Sequence, residues 1–354
     1  KISKKKIEVV NKDFVNTVKD VGKGLGIGNL VIVKTLVPPK TTVEIVKPIL
    51  EHLSGLRVEY EFGLAYAVER LDQPVTSGKE HVQIVGGYGP NSSRLIKTIY
   101  EEVFKSKVVT LPSPTLAEFV YLVESLYYDV NMALANEIAQ LLPEFNINVR
   151  DLVNVLRNII KLDIPVPRAG FGGPKIPKST SILIGEAEKR GLALDLALTS
   201  RVINDAALNY LVFLVKEAAE KLGINLREAR ITILGDAYRE DIASPEDSPT
   251  HRLVELLLKE HVKKKNIIVH DPHVAEDPGL KVGLTMNLAM ALKNADIVIV
   301  MIGHSVYRDV SISAIKALSG KRKIAIIDGA NVLKKETLTH GVMYVGLGTP
   351  WYEM

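Results

Sequence analysis

Four short runs of mainly aliphatic, largely β-branched residues recur in the last third of the chain: Ile231–Leu234, Ile267–Val269, Ile297–Met301 and Ile324–Ile327. Segments of helix length separate them, His251–His261 and Val310–Leu318 among these. Continuous apolar runs this short suit strands covered on both faces, and strands alternating with helices join through crossovers into a parallel sheet. The spacing therefore predicts a doubly wound α/β sheet.

Asn29–Lys34, Val82–Val85 and Val108–Leu111 read as further strands beside turn residues, with Pro38-Pro39 marking the first exit. Together they predict a second α/β region. Between the two, Leu116, Phe119, Val120, Val123, Leu126, Tyr127 and Val130 recur at steps of three and four residues, which predicts a helix from Thr115 to about Leu142. Another helical region, from about Ala193 to Leu222, follows the Gly/Pro-rich loop Pro165–Pro177 and is long enough to be a spine and a subunit contact. With 354 residues, 47% of them hydrophobic, the chain can bury a core in each of two domains.

Composition removes several classes of function. The 45 Lys and Arg balance 41 Asp and Glu to a net charge of +4, and no long basic block stands out, so no nucleic-acid partner is expected. The opening Lys-Ile-Ser-Lys-Lys-Lys reads as a solvated tail. With no cysteine there is no disulfide framework, no thiolate zinc site and no cysteine nucleophile in this chain. No run of about 18 apolar residues predicts a membrane span and no signal peptide opens the chain. A cytoplasmic location is favoured, with an extracellular assembly as the alternative, and the mix of charged and aliphatic residues suits a thermophile.

Residues 164–180 carry Gly170, Gly172 and Gly173, where backbone can approach a ligand closely; taken alone the run is most simply a loop. Its neighbours add more. Val33–Pro38, Tyr66–Arg70, Asp129–Glu137, Gly170–Thr180, Ile233–Arg239, Asn294–Asp296 and Asp328–Asn331 follow one another in an order that resembles the UDP-glucose/GDP-mannose dehydrogenase family, the nucleotide-sugar 6-dehydrogenases that include UDP-N-acetylmannosamine dehydrogenases. The resemblance runs from about residue 13 to 348. It implies a partial N-terminal Rossmann-like NAD domain over 1–112, a helical dimerisation domain around a long central helix over 113–225, and a C-terminal Rossmann-like UDP-sugar domain over 226–354.

Set against that family, two differences shape the functional expectation. No strand–Gly-x-Gly-x-x-Gly–helix unit is present, and Gly22–Gly28 precedes a strand and reads as a helix stop, so the chain enters about midway through the family's cofactor domain and no NAD is expected to bind. The family's catalytic positions are also changed. Its cysteine corresponds to Lys175, its water-activating aspartate to Ser179, its lysine to Tyr121 and the partner asparagine to Ser125, while Thr35 and Glu69 match. In the sugar-nucleotide pocket Glu246 and Ala330 stand where the family has arginines, and Arg239 stands where a lysine is usual and could still hold a phosphate.

The expectation is accordingly a catalytically inactive relative with no cofactor, kept as a structural or filament-forming protein that self-associates through its central helix, or as the partner of an active paralogue or of a separate N-terminal half. The alternative is an active NAD-dependent UDP-sugar 6-dehydrogenase. Gly170, Gly172, Gly173 and Arg239 are the ligand-pocket candidates. His270-Asp-Pro-His273 has the look of a metal motif, but its place at a strand end favours a structural turn, and no metal is expected.

Overall fold

The computed structural model describes residues 10–68, 82–170, 173, 175–334 and 338–353. In chain order the elements are α1 (Lys12–Lys23), β1 (Leu30–Val33), α2 (Lys47–Ser54), β2 (Gly63–Ala67), β3 (Val82–Gly87), α3 (Pro90–Glu102), β4 (Lys107–Leu111), α4 (Pro114–Leu141), α5 (Val149–Val155), α6 (Ile176–Glu188) and α7 (Asp195–Leu222). They continue as β5 (Ile231–Leu234), α8 (Pro249–Lys259), β6 (Ile267–His270), β7 (Gly283–Thr285), α9 (Leu288–Leu292), β8 (Ile297–Val300), α10 (Ser305–Asp309), α11 (Ile312–Ser319), β9 (Ile324–Asp328), β10 (Val342–Gly346) and β11 (Tyr352–Glu353). The chain forms two compact units, one of Lys1–Tyr128 with Lys175–Asp195 and one of Asp129–Pro174 with Leu196–Met354. None of the helices among the described residues is long and apolar enough to cross a membrane.

The first unit holds a four-stranded sheet in the order β1-β2-β3-β4, parallel except for the β2–β3 pair. One face packs against Val18 of α1, Leu50 of α2, and Ala117 and Tyr121 of α4. The other face meets Ile96 and Tyr100 of α3. α1 ends at Gly24, so the Gly22–Gly28 segment does stop a helix. β2, Gly-Leu-Ala-Tyr-Ala, is buried throughout although it has no β-branched residue; its place between two neighbours supplies what its propensity lacks.

In the second unit a seven-stranded sheet has the order β11-β10-β9-β8-β5-β6-β7, with all pairs parallel except β10–β11. Leaving out the edge strand β11, the spatial order is third, second, first, fourth, fifth, sixth in chain sequence. This is the doubly wound dinucleotide-fold arrangement, and the strand order reverses between β5 and β8. Leu211, Leu214, Val215 and Ala218 of α7 and Leu253, Val254 and Leu257 of α8 cover one face. Leu292, Tyr307, Ile312 and Ile315 of α9 to α11 cover the other. Both faces of β5, β8 and β9 are therefore dry, which explains their largely apolar runs; the one polar side chain inside β5, Thr232, donates to the Ala291 carbonyl at 2.7 Å.

Candidate functional site

At the C-terminal ends of β5, β6 and β8 the chain turns through polar loops, and these loops are tied to one carboxylate. Asp271, the residue after β6, is fully buried. Its Oδ2 accepts the backbone N–H groups of Asp236 at 2.7 Å and Ala237 at 2.8 Å and the His304 Nε2–H at 3.0 Å. Its Oδ1 accepts the N–H groups of His273 at 2.8 Å and Val274 at 3.0 Å. Burial alone raises a carboxyl pKa, but here the His304 hydrogen bond and the backbone donors outweigh it and hold Asp271 well below the usual carboxylate range. The Asp241 N–H donates to His304 Nδ1 at 2.9 Å, so His304 is the Nε2–H tautomer with both ring nitrogens engaged.

Gly235, at φ +106, opens the β5 loop at the strand-order reversal. A Cβ there would lie 2.5 Å from Ile302 Cβ, so glycine lets the loops after β5 and β8 close on each other. This is where an open α/β sheet of this order receives a ligand. Asp236 follows, fully buried, with neither carboxylate oxygen hydrogen-bonded. Burial first, then the neighbouring Asp277 and Asp271, push its pKa up to about 8.

The remaining sequence-derived positions fall into groups. Gly170 and Gly173 both have positive φ, and a Cβ on them would lie 2.4 Å from Pro249 and 2.5 Å from Tyr238. Both glycines serve contact with the β5 loop and the start of α8, whereas Gly172 lies outside the described residues. Arg239 is exposed on that loop. Arg168, before Gly170, donates its N–H to Asn136 Oδ1, and Asn136 Nδ2 donates to Asn204 Oδ1 at 3.0 Å. Asn204 and Arg201 in turn donate to Asp129 at 2.7 and 2.8 Å, so the Asp129–Glu137 and Arg201–Ala206 segments form one buried network.

Within the first unit, Leu122 and Leu126 of α4 pack with Ile182 and Leu183 of α6 and with Leu36 after β1. Thr35, Tyr121, Ser125, Lys175 and Ser179 are thus carried on three segments that meet. The Ser125 and Ser179 hydroxyls are buried and donate to the carbonyls of Tyr121 and Lys175 one turn earlier, as helix back-bonds. Tyr121 is buried, Thr35 is exposed, and Lys175 is half-buried in the position just before α6 rather than on an open loop. Glu69 lies outside the described residues.

Two groups here had no signal in the sequence. Glu118 of α4 is buried and accepts the N–H groups of Lys40 at 2.6 Å and Thr42 at 2.8 Å with the Thr42 hydroxyl at 2.7 Å, which pins the loop after β1. Glu59 accepts the N–H groups of Asn91 and Ser92 at 2.9 Å each, at the start of α3. The first-turn amides of α3, which follow the glycine-rich β3–α3 turn Gly86 to Gly89, are therefore already taken by a carboxylate. A Cβ on Gly86 or Gly87 would lie 2.3 Å from Ser113 or Ser93. That turn does not fit a dinucleotide pyrophosphate, which needs those amides free.

Glu246, expected to set a carboxylate against a diphosphate, is exposed, so water screens its charge. In His270-Asp-Pro-His273, the His270 ring lies 2.7 Å from the Tyr307 hydroxyl and 3.2 Å from the Met286 carbonyl, and Asp271 organises the turn.

The chain matches three family models in order: UDP-glucose/GDP-mannose dehydrogenase family, NAD binding domain, over residues 4–104; central domain, over 115–206; and UDP binding domain, over 232–335. It is 30% identical over 334 residues to UDP-N-acetyl-D-mannosamine dehydrogenase of Pyrococcus horikoshii, covering 94% of this chain and 75% of that protein. The structure of the UDP-D-ManNAc dehydrogenase from the same organism superposes with a TM-score of 0.82 at 28% identity, over 95% of this chain and 77% of that one. The NDP-N-acetyl-D-galactosaminuronic acid dehydrogenase from Methanosarcina mazei Go1 superposes at 0.81 with 29% identity, over 96% and 73%.

These findings overturn the expectation of a catalytically inactive scaffold. Relatives named as dehydrogenases match over nearly the whole chain, and the NAD-binding model matches its first hundred residues. The expectation that no cofactor is used loses its support with it. The family's three domains are matched in order although individual side chains differ, and Glu246, being exposed, is screened by water.

Proposed function

Because this chain belongs to the UDP-glucose/GDP-mannose dehydrogenase family, we propose that it is an NAD-dependent nucleotide-sugar 6-dehydrogenase, oxidising a UDP-sugar to the UDP-uronate. The observation that carries this reading is the ordered match to the family's NAD-binding, central and UDP-binding models, with relatives that are themselves named UDP-N-acetyl-D-mannosamine dehydrogenases. UDP-N-acetylmannosamine is accordingly the first substrate to test. NAD enters through the match over residues 4–104, since the β3–α3 turn offers it no pyrophosphate cradle.

The sugar nucleotide is proposed to sit over the β5/β8 reversal, where Gly235 admits close backbone approach and Arg239 supplies an exposed cation. Exposed Leu196, Val202 and Phe213 on α7 support self-association through this helix. A monomeric mass by light scattering would count against that.

The test is incubation of the purified chain with NAD and UDP-N-acetylmannosamine, followed by NADH absorbance and product mass. Two NADH per sugar and a uronate product are expected. Absence of NADH with each UDP-sugar tried would refute the reading, and one NADH per sugar would show that oxidation stops at the aldehyde.

A further inference from the structure

Asp236, His251 and Asp277 come from the loop after β5, the first turn of α8 and the loop after β6, and their ligating atoms all lie within 4.8 Å of one another. His251 Nε2 is 3.9 Å from Asp236 Oδ1 and in hydrogen-bond contact with Asp277 Oδ2. Two carboxylates this close, with Asp271 beside them, make a locally negative pocket. Asp236 is fully buried and neither of its oxygens has a hydrogen-bond partner. A buried carboxylate left so is costly unless a cation or a proton completes it.

We propose that Asp236, His251 and Asp277 bind one divalent transition-metal cation, with Zn2+ as the preferred ion. Two carboxylate oxygens and an imidazole nitrogen suit Zn2+, whereas Mg2+ and Ca2+ favour oxygen ligands throughout. The surroundings hold the ligands in place. Asp277 Oδ1 accepts the Gly279 N–H at 2.8 Å, which turns Oδ2 towards the histidine. The Asp236 backbone is fixed by its 2.7 Å bond to Asp271. Such supporting hydrogen bonds orient metal ligands. The His251 side chain is 29% exposed while Asp236 is 0% and Asp277 5%, so an ion can enter past the imidazole and reach a dry carboxylate.

The neighbouring cluster of Asp241, His273 and His304 is different. His304 spends one ring nitrogen on Asp271 and the other on the Asp241 N–H, so it has no lone pair to give. The assignment of the cation site requires neither NAD nor a sugar nucleotide and stands apart from the dehydrogenase reading.

Full chain stripped with EDTA and exchanged into metal-free buffer is titrated calorimetrically with Zn2+ alone. About one equivalent is expected to bind and to raise the melting temperature. D236N, D277N and H251Q should each weaken binding by about tenfold or more, while D241N leaves it within about twofold. Co2+ in place of Zn2+ should give a visible absorption band that shifts in H251Q. No saturable uptake, or uptake unchanged in D236N, overturns the site and leaves a proton shared between Asp236 and Asp277 as the explanation of the buried pair. Circular dichroism checks that each variant is folded; should D236N fail to fold, H251Q and the Co2+ spectrum decide.

Discussion

Replacing Asp271 by Asn tests whether one carboxylate holds together the ends of three strands in the second unit. The carboxylate accepts five donors, three at Oδ2 and two at Oδ1. An amide retains one oxygen, so its NH2 must face one of the two sets of donors. In the better orientation it faces the His273 and Val274 N–H groups, leaving two donors without an acceptor. At roughly 1–3 kcal/mol for each buried group so stranded, the loss is about 2–6 kcal/mol. The only tryptophan, Trp351, packs against the core of this same sheet, so its fluorescence reports unfolding of the second unit. Urea unfolding of Asp271→Asn followed at Trp351 should show a lower midpoint with an unchanged slope. A loss below about 1 kcal/mol would refute the reasoning, because the donors would then have found other acceptors.

Further perturbations separate charge, backbone and packing effects. Because the folded pKa of Asp271 is depressed, its contribution is fully present above the ordinary aspartate value and is lost as pH falls towards the folded one; acid unfolding followed at Trp351 should show this component in the parent chain and not in Asp271→Asn. Asp236 has the opposite sign: with its folded pKa pushed up to about 8, metal-free protein should lose stability as pH climbs from the ordinary carboxylate range through that value, and Asp236→Asn should flatten the slope in the same assay. Gly173→Ala forces a side chain onto φ +96 and into Tyr238, and thermal unfolding should show a loss of about 1–3 kcal/mol. Asp129→Ala removes the buried partner of Arg201 and Asn204, and chemical denaturation should show a cost of about 3–5 kcal/mol; a near-neutral result would mean that water or Asp205 replaces it.

The strands that form the second sheet were legible because their burial is written locally: β5, β6, β8 and β9 are covered on both faces and so consist mainly of aliphatic residues, with Thr232, His270 and Asp328 the exceptions. The two 28-residue helices, α4 and α7, were legible for a similar reason, with bounds within a few residues of those expected from periodicity. β2 carries no such local mark, since Gly and Ala are poor strand formers, its one Tyr is a weak signal alone, and its strand is decided by the neighbours that enclose it. The ordered segments Asp129–Glu137 and Ile233–Arg239 sufficed for the family, because kinship is carried by many positions at once. They do not fix activity, which depends on where single side chains sit in space: Glu246, at a position where the family has an arginine, is exposed.

Sequence by itself thus determined the α/β class, the two long helices and the family, all of which depend on periodicity and order along the chain. Tertiary structure alone decided which polar side chains meet. Asp236, His251 and Asp277 are far apart in sequence, and no local pattern marks them as neighbours. A carboxylate's chemistry is set by the donors and charges that surround it in space: Asp271, with five donors, is held ionised, while Asp236, with none on its oxygens, is driven towards its proton.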